Sequence, residues 1–211
     1  MAFNYDNVKD RKLYNILKPL GWCIMHLLYS YKVVGKENVP KDGSFILTCN
    51  HIHFMDPVLL IVNAPRKIHF MGKNEAFKRK FASWFLTSVN TFPVARGRND
   101  KAAVNYAIKL IETGHVIGIF PEGTRSKDLK PHEAKAGVSL IARQTKADIL
   151  PASIYCEKAK GLRRKMTIRF GEVIPYESLG ITEDGSSREL REAAARIMAG
   201  ITDLWEEGHC R

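Results

Sequence analysis

Apolar and polar positions alternate at two distinct periods along the chain. Ser44–Asn50 (SFILTCN), a short run with an apolar centre after the turn-rich VPKDG, reads as a buried strand. Lys67–Lys73 (KIHFMGK), Thr91–Arg96 (TFPVAR), His115–Phe120 (HVIGIF) and Ala147–Tyr155 (ADILPASIY) are further strand candidates. Lys165–Ile174 alternates apolar and polar residues in the manner of a half-exposed strand. Between these runs the period lengthens to that of a helix. Residues 99–114 begin with a cap at Asn99 or Asp100, place Val104, Ile108 and Ile111 on one face, and stop at Gly114. Ala134–Thr145 reads as a second helix. A last helix starts at a capping box, Ser186 to Glu189, and carries Leu190, Ala194, Ile197, Ile201 and Leu204 on one stripe. Such alternation predicts an α/β fold: one domain with a central mixed, largely parallel sheet flanked by helices.

The first part of the chain has a different pattern. Leu13–Gly35 is rich in Leu, Ile, Trp and Tyr but is interrupted by Lys18 and Pro19, and the apolar run Pro19–Tyr31 falls short of the roughly twenty residues of a spanning helix. Lys9, Arg11 and Lys12 precede it and Lys32 follows. Residues 1–33 are therefore expected to form an amphipathic, membrane-associating helical segment, with Trp22, Tyr29 and Tyr31 at headgroup level, and residues 34–211 the α/β domain.

Charge strengthens that expectation. Thirty-three basic against 22 acidic residues leave a net charge of 33 − 22 = +11, which points to an anionic partner such as anionic lipid, a phosphorylated ligand or nucleic acid. The four cysteines stand far apart and form no CxxC pair, which suits a reducing compartment. The polar start MAFNYDNVKDRK gives no expectation of a cleavable signal peptide.

In open α/β sheets ligands sit beyond the carboxyl ends of the strands, so the residues that follow each strand are the ones to read. His51 follows the first strand candidate, Lys73 closes the second, Arg96 and Arg98 follow the third, and PEGTRS (Pro121–Ser126) follows the fourth. One strand end thus offers a His/Asp group and three offer cations, a layout for proton transfer on a phosphorylated substrate. Within CNHIHFMDP, Asp56–Pro57 looks like a helix start, with Asp56 as N-cap and Pro57 at the first helical position. A strand-to-helix turn could fold His51 back over Asp56, but His53 lies three residues from the same aspartate, and spacing does not choose between them. HxH could also supply two imidazoles to a zinc ion, although the aspartate is one place late for the HxHxDH pattern. Glu122 and Arg125, three apart around Gly123, could form a local ion pair, or Arg125 could bind phosphate.

NHIHFMDP, FPVARG, FPEGTRS and ILPASIY occur in this order between about Val34 and about Ile174. Together they resemble the glycerolipid acyltransferase family, the PlsC-like 1-acyl-sn-glycerol-3-phosphate acyltransferases. The NHxxxxD block is met by Asn50, His51 and Asp56, and FPEGTRS is met from Phe120 to Ser126 without departure. GKNEAFKRK departs from the lysine-glutamate-leucine pattern around Lys73. The resemblance implies His51 as general base with Asp56 orienting it. It implies Arg125, Arg96 and Lys73 on the substrate phosphate, and Glu122, Gly123 and Thr124 binding or orienting substrate. It implies lysophosphatidic acid as acceptor, acyl-CoA or acyl carrier protein as co-substrate, no other cofactor and no metal. A monotopic or peripheral place on the cytoplasmic face of the cell membrane is implied as well. No serine or cysteine stands in a nucleophile-elbow motif, so direct transfer is expected rather than an acyl-enzyme.

Three rivals remain. A related acyltransferase would use glycerol 3-phosphate or another lysophospholipid. A metal-dependent hydrolase would be built on His51 and His53. A non-catalytic basic module would bind membrane or nucleic acid, although nothing in the chain resembles a nucleic-acid-reading motif, and no nucleic-acid partner is expected.

Overall fold

The computed structural model describes residues 3–5, 8, 12–95, 100–158 and 163–210. In chain order the elements are α1 (Lys12–Leu28), β1 (Ser30–Val34), β2 (Ile46–Cys49), α2 (Asp56–Asn63), β3 (Ile68–Lys73), α3 (Lys80–Ser88) and β4 (Thr91–Val94). Then follow α4 (Lys101–Glu112), β5 (Val116–Ile119), α5 (Gly137–Thr145), β6 (Ile149–Tyr155), β7 (Lys165–Phe170) and α6 (Ser187–Glu206). The described strands form one mixed sheet in the order β1-β7-β6-β2-β5-β3-β4. From β6 to β4 every pairing is parallel; β7 pairs antiparallel with β6 and parallel with β1, so the last two strands run against the rest.

Strand residues alternate between two cores because successive side chains point to opposite faces. Leu47, Cys49, Ile68, Phe70, Leu150 and Ala152 pack with Leu59 and Leu60 of α2 and with Tyr14 and Met25 of α1. Ile46, Phe92, Ile117 and Ile149 pack with Ala103, Tyr106 and Leu110 of α4, Val138 and Ile141 of α5, and Ala194, Ile197 and Ile201 of α6. Both faces are covered, which is why the central strands carry no polar stripe.

Local signals placed several boundaries. The Asp100 carboxylate caps α4 by accepting the Ala103 N–H. Ser186 and Glu189 form the reciprocal capping box of α6. Elsewhere the structure departs from the sequence reading. Helix α1 runs through Pro19, and Ser30–Val34 is an edge strand, so the boundary expected at residue 33 falls inside β1. Trp22 stays exposed, but Tyr29 and Tyr31 pack partly against the core instead of facing outward. Helix α5 starts at Gly137, because the Lys135 N–H is taken by the Pro121 carbonyl. Strand β7 is buried beyond its first residue, including Thr167 and Arg169. The chain after α6 explains this: Arg169 donates to Glu207 and to the Gly208 carbonyl, and the Cys210 N–H donates to Thr167. Among the described residues no helix is long and apolar enough to cross a membrane.

Candidate active site

Strands β2 and β5 lie side by side and parallel, so the loops at their carboxyl ends meet. The β2 loop carries His51 to Asp56, and the β5 loop carries Phe120 to Ser126. Asn50 anchors the first loop. Its side chain donates to the Ile154 carbonyl and accepts the Ile154 N–H, at 3.0 and 2.8 Å, and so extends the β2–β6 pairing by a side chain. The second loop then holds His51 through its main chain. The His51 N–H donates to Glu122 Oε1 at 2.8 Å, and the Ser126 N–H donates to the His51 carbonyl at 2.7 Å.

The His51 ring has three supports. Its Nδ1–H donates to Asp56 Oδ2 at 2.8 Å. Its face stacks on Phe120 with ring centroids 4.1 Å apart, and Phe120 stacks in turn on Phe70 at 5.5 Å. Gly118 makes room for this column, since a Cβ there would sit 2.3 Å from Phe70. With Nδ1 committed as a donor, Nε2 is left as the acceptor nitrogen of the neutral ring. It has no hydrogen-bond partner among the described residues, so it is the atom able to take a proton.

Asp56 is fully buried and does more than orient a histidine. The same Oδ2 accepts the N–H groups of Ile52 and His53, both at 2.7 Å. Asp56 was expected as the N-cap of α2; instead Met55 occupies that position, and Asp56, in the first turn, binds the loop before it. One carboxylate oxygen therefore shapes the turn and fixes the imidazole.

His53 takes a separate role. Its Nδ1 accepts the Met55 N–H at 3.3 Å. Its pKa is lowered by burial first and by the Arg164 charge next, with Arg125 adding to the effect. It is a turn residue beside a cationic rim. Among the described residues no three His, Cys, Asp or Glu side chains converge as a metal site.

Glu122 does not pair with Arg125. It is 3% exposed, holds the His51 N–H with one oxygen, and leaves Oε2 buried without a partner among the described residues. Burial pushes its carboxyl up to about 7. Gly123, at φ +69, permits the turn and lies under the Lys135 side chain. Thr124 and Arg125 are exposed at the rim. Lys73, two strands from β2, is half exposed and lies 3.7 Å from Glu75. Arg96 and Arg98, the remaining strand-end cations, lie outside the described residues.

Cys49 cannot serve as nucleophile: it is buried, and burial holds its thiol well above the ordinary range. Sequence reading did not assign roles to Asn50, to the Phe120 face or to the Ser126 N–H; Arg164, whose guanidinium lies 5.3 Å from the Tyr29 ring next to His53, belongs to the basic stretch 157–165 that could meet anionic lipid or the phosphates of coenzyme A. Of these, Asn50, Phe120 and Ser126 stood inside the quoted motifs as matched residues.

A sequence profile of the Acyltransferase family matches residues 30–155. A 1-acyl-sn-glycerol-3-phosphate acyltransferase of Bacillus subtilis is 37% identical over 131 residues, covering 62% of this chain and 65% of that protein. One of Borreliella burgdorferi is 34% identical over 125 residues, covering 58% of this chain and 50% of that protein. The matched stretch thus spans between half and two thirds of these relatives' own length. The crystal structure of PlsC, the 1-acyl-sn-glycerophosphate acyltransferase of Thermotoga maritima, superposes with a TM-score of 0.70 at 27% identity, covering 90% of this chain and 79% of that one.

Proposed function

The chain belongs to the Acyltransferase family, and on that premise we propose that it moves a fatty acyl group from an acyl thioester to the sn-2 hydroxyl of 1-acylglycerol 3-phosphate, forming phosphatidic acid. The observation that carries the reading is the His51–Asp56 pair held by the β5 loop at the carboxyl edge of the sheet. The named relatives, which are 1-acyl-sn-glycerol-3-phosphate acyltransferases, support the choice of acceptor.

The steps balance without a covalent enzyme intermediate. His51 Nε2 takes the proton of the acceptor hydroxyl as its oxygen attacks the thioester carbonyl carbon. Asp56 Oδ2, hydrogen-bonded to Nδ1–H, stabilises the imidazolium that forms. Collapse of the tetrahedral intermediate breaks the C–S bond, and the imidazolium returns its proton to the thiolate. Positioned general-base help of this kind contributes about 10²- to 10⁴-fold in rate. Arg125 at the rim receives the acceptor phosphate, with Arg96 and Lys73 as further cations. Gly123 and Thr124 frame the acceptor. The thiol carrier is coenzyme A or acyl carrier protein, and no other cofactor enters. In this reading the enzyme works at a membrane surface, peripheral or monotopic, on the cytoplasmic face of the cell membrane, and a lipid acceptor supports the membrane part of it.

The test is thiol release from acyl-CoA and from acyl carrier protein, with and without lysophosphatidic acid, for wild type, His51→Ala and His53→Ala. Release should require the acceptor, fall by at least about 10²-fold in His51→Ala, and stay within a few-fold in His53→Ala. Equal loss in both variants would favour the two-histidine metal reading, and full activity of His51→Ala would end the general-base mechanism.

A further inference from the structure

Helix α3 is turned inside out. Phe81, Trp84 and Phe85 share one helix face at i, i+3 and i+4 spacing, and that face points to solvent, with Phe81 76% and Trp84 53% exposed. Ala82 and Ser83, small and partly buried, lie on the other side, and Ser88 is the helix's buried residue. The Thr87 and Ser88 hydroxyls donate to the Ser83 and Trp84 carbonyls, so the helix satisfies its own polar groups. A helix of a soluble protein turns its rings toward the core. An outward aromatic patch marks a surface that something covers.

Three features identify the cover. Lys78, Arg79 and Lys80 lead into the helix in succession, all exposed. Helix α1, which touches α3, shows a matching stripe of exposed apolar side chains: Ile16, Leu20, Ile24 and Leu27. Helix α3 also follows Lys73 and so leaves the sheet at the edge that carries His51. A second copy of this chain would set cations against cations, since each copy carries a net charge of +11. An anionic lipid surface complements both the cations and the rings.

We propose that α3 is a membrane-docking element distinct from α1, its Phe81/Trp84/Phe85 face entering an anionic bilayer while Lys78, Arg79 and Lys80 meet the lipid phosphates. The inference rests on the reading of the chain as an enzyme of membrane lipids. Docked in this way, the catalytic edge lies against the surface that supplies the lipid acceptor.

The experiment sediments the full chain with vesicles of phosphatidylcholine, with and without phosphatidylglycerol. One variant carries Phe81→Ser, Trp84→Ser and Phe85→Ser; another carries Lys78→Ser, Arg79→Ser and Lys80→Ser. All six side chains are exposed, so the fold should survive, which thermal unfolding checks. The ring variant should bind both vesicles at least about tenfold more weakly. The cation variant should lose about fivefold per charge, and only toward the anionic vesicles. Thiol release with a short-chain acceptor dispersed as monomers should be unchanged in both. That readout separates the two ideas: its absence in the parent enzyme strikes the proposed reaction, while vesicle binding alone decides the docking. Parental vesicle affinity in the ring variant would overturn the proposal. So would parental vesicle affinity with a loss of self-association, which would make the face a contact between copies.

Discussion

Glu122→Gln separates the two things a buried carboxyl can do: hold a hydrogen bond and carry a charge. In the wild type, burial raises the Glu122 pKa from 4.5 to about 7. Between those values the folded chain keeps a proton that the unfolded chain has lost. Unfolding then releases a proton, so stability falls as pH rises through this window and levels off above it. A rise from 4.5 to about 7, at about 1.36 kcal/mol per unit, amounts to about 3 kcal/mol of stability lost across the window. Glutamine cannot ionise, so the variant should lack this part of the decline. Its amide oxygen can still accept the His51 N–H at the place of Oε1, so activity should stay within a few-fold at neutral pH. The assay is urea unfolding of both proteins at a series of pH values from about 4.5 to about 7.5. The wild-type-minus-variant difference cancels the other titrating groups. Parallel stability curves would refute the reasoning, because they would mean that Glu122 ionises as freely in the folded chain as in the unfolded one.

Three further outcomes are expected. Asp56→Asn removes the charge that the proposed mechanism sets beside the His51 imidazolium; kcat should fall by about 10²- to 10⁴-fold with little change in KM, and a parental kcat would show that the pair is structural. Arg125→Ala should lower kcat/KM for a phosphate-bearing acceptor by about 10- to 100-fold, mainly through KM, with Lys restoring part of it; an unchanged KM would place the phosphate elsewhere. Gly118→Ala puts a Cβ 2.3 Å from Phe70, at the base of the column under His51. It should cost about 1–3 kcal/mol in denaturant unfolding and weaken catalysis as well; a neutral result would mean that the column yields freely.

Much of the fold was legible from local signals. The capping box at Ser186 and the Asp100 cap act within one helical turn, so sequence alone located α6 and α4 well. The buried strands were legible because both faces of each are covered, which leaves continuous apolar runs. Strand β1 and helix α3 were missed for opposite reasons. Ser30–Val34 follows an apolar helix without a break in composition and becomes a strand only because β7 offers it a partner. Helix α3 carries its aromatics on the solvent side, so its pattern follows no core. The burial of β7 was invisible because its cover, Glu207 to Cys210, comes from about forty residues away.

The same division runs through the site. By itself the sequence determined which chemistry is present: a histidine with an aspartate at one strand end, cations at others, and a Pro-Glu-Gly turn between strand and cation. Residue types and strand ends are local properties, and both can be read along the chain. Only the tertiary structure decided the partners. His51 and His53 were equivalent by spacing until the turn folded and committed Asp56 Oδ2 to the His51 ring and to the His53 main chain. Glu122 stood three residues from Arg125, yet it holds His51, seventy-one residues away, because β2 and β5 are neighbours in the sheet and not in sequence. Strand order is set by packing over the whole domain, and no local pattern encodes it.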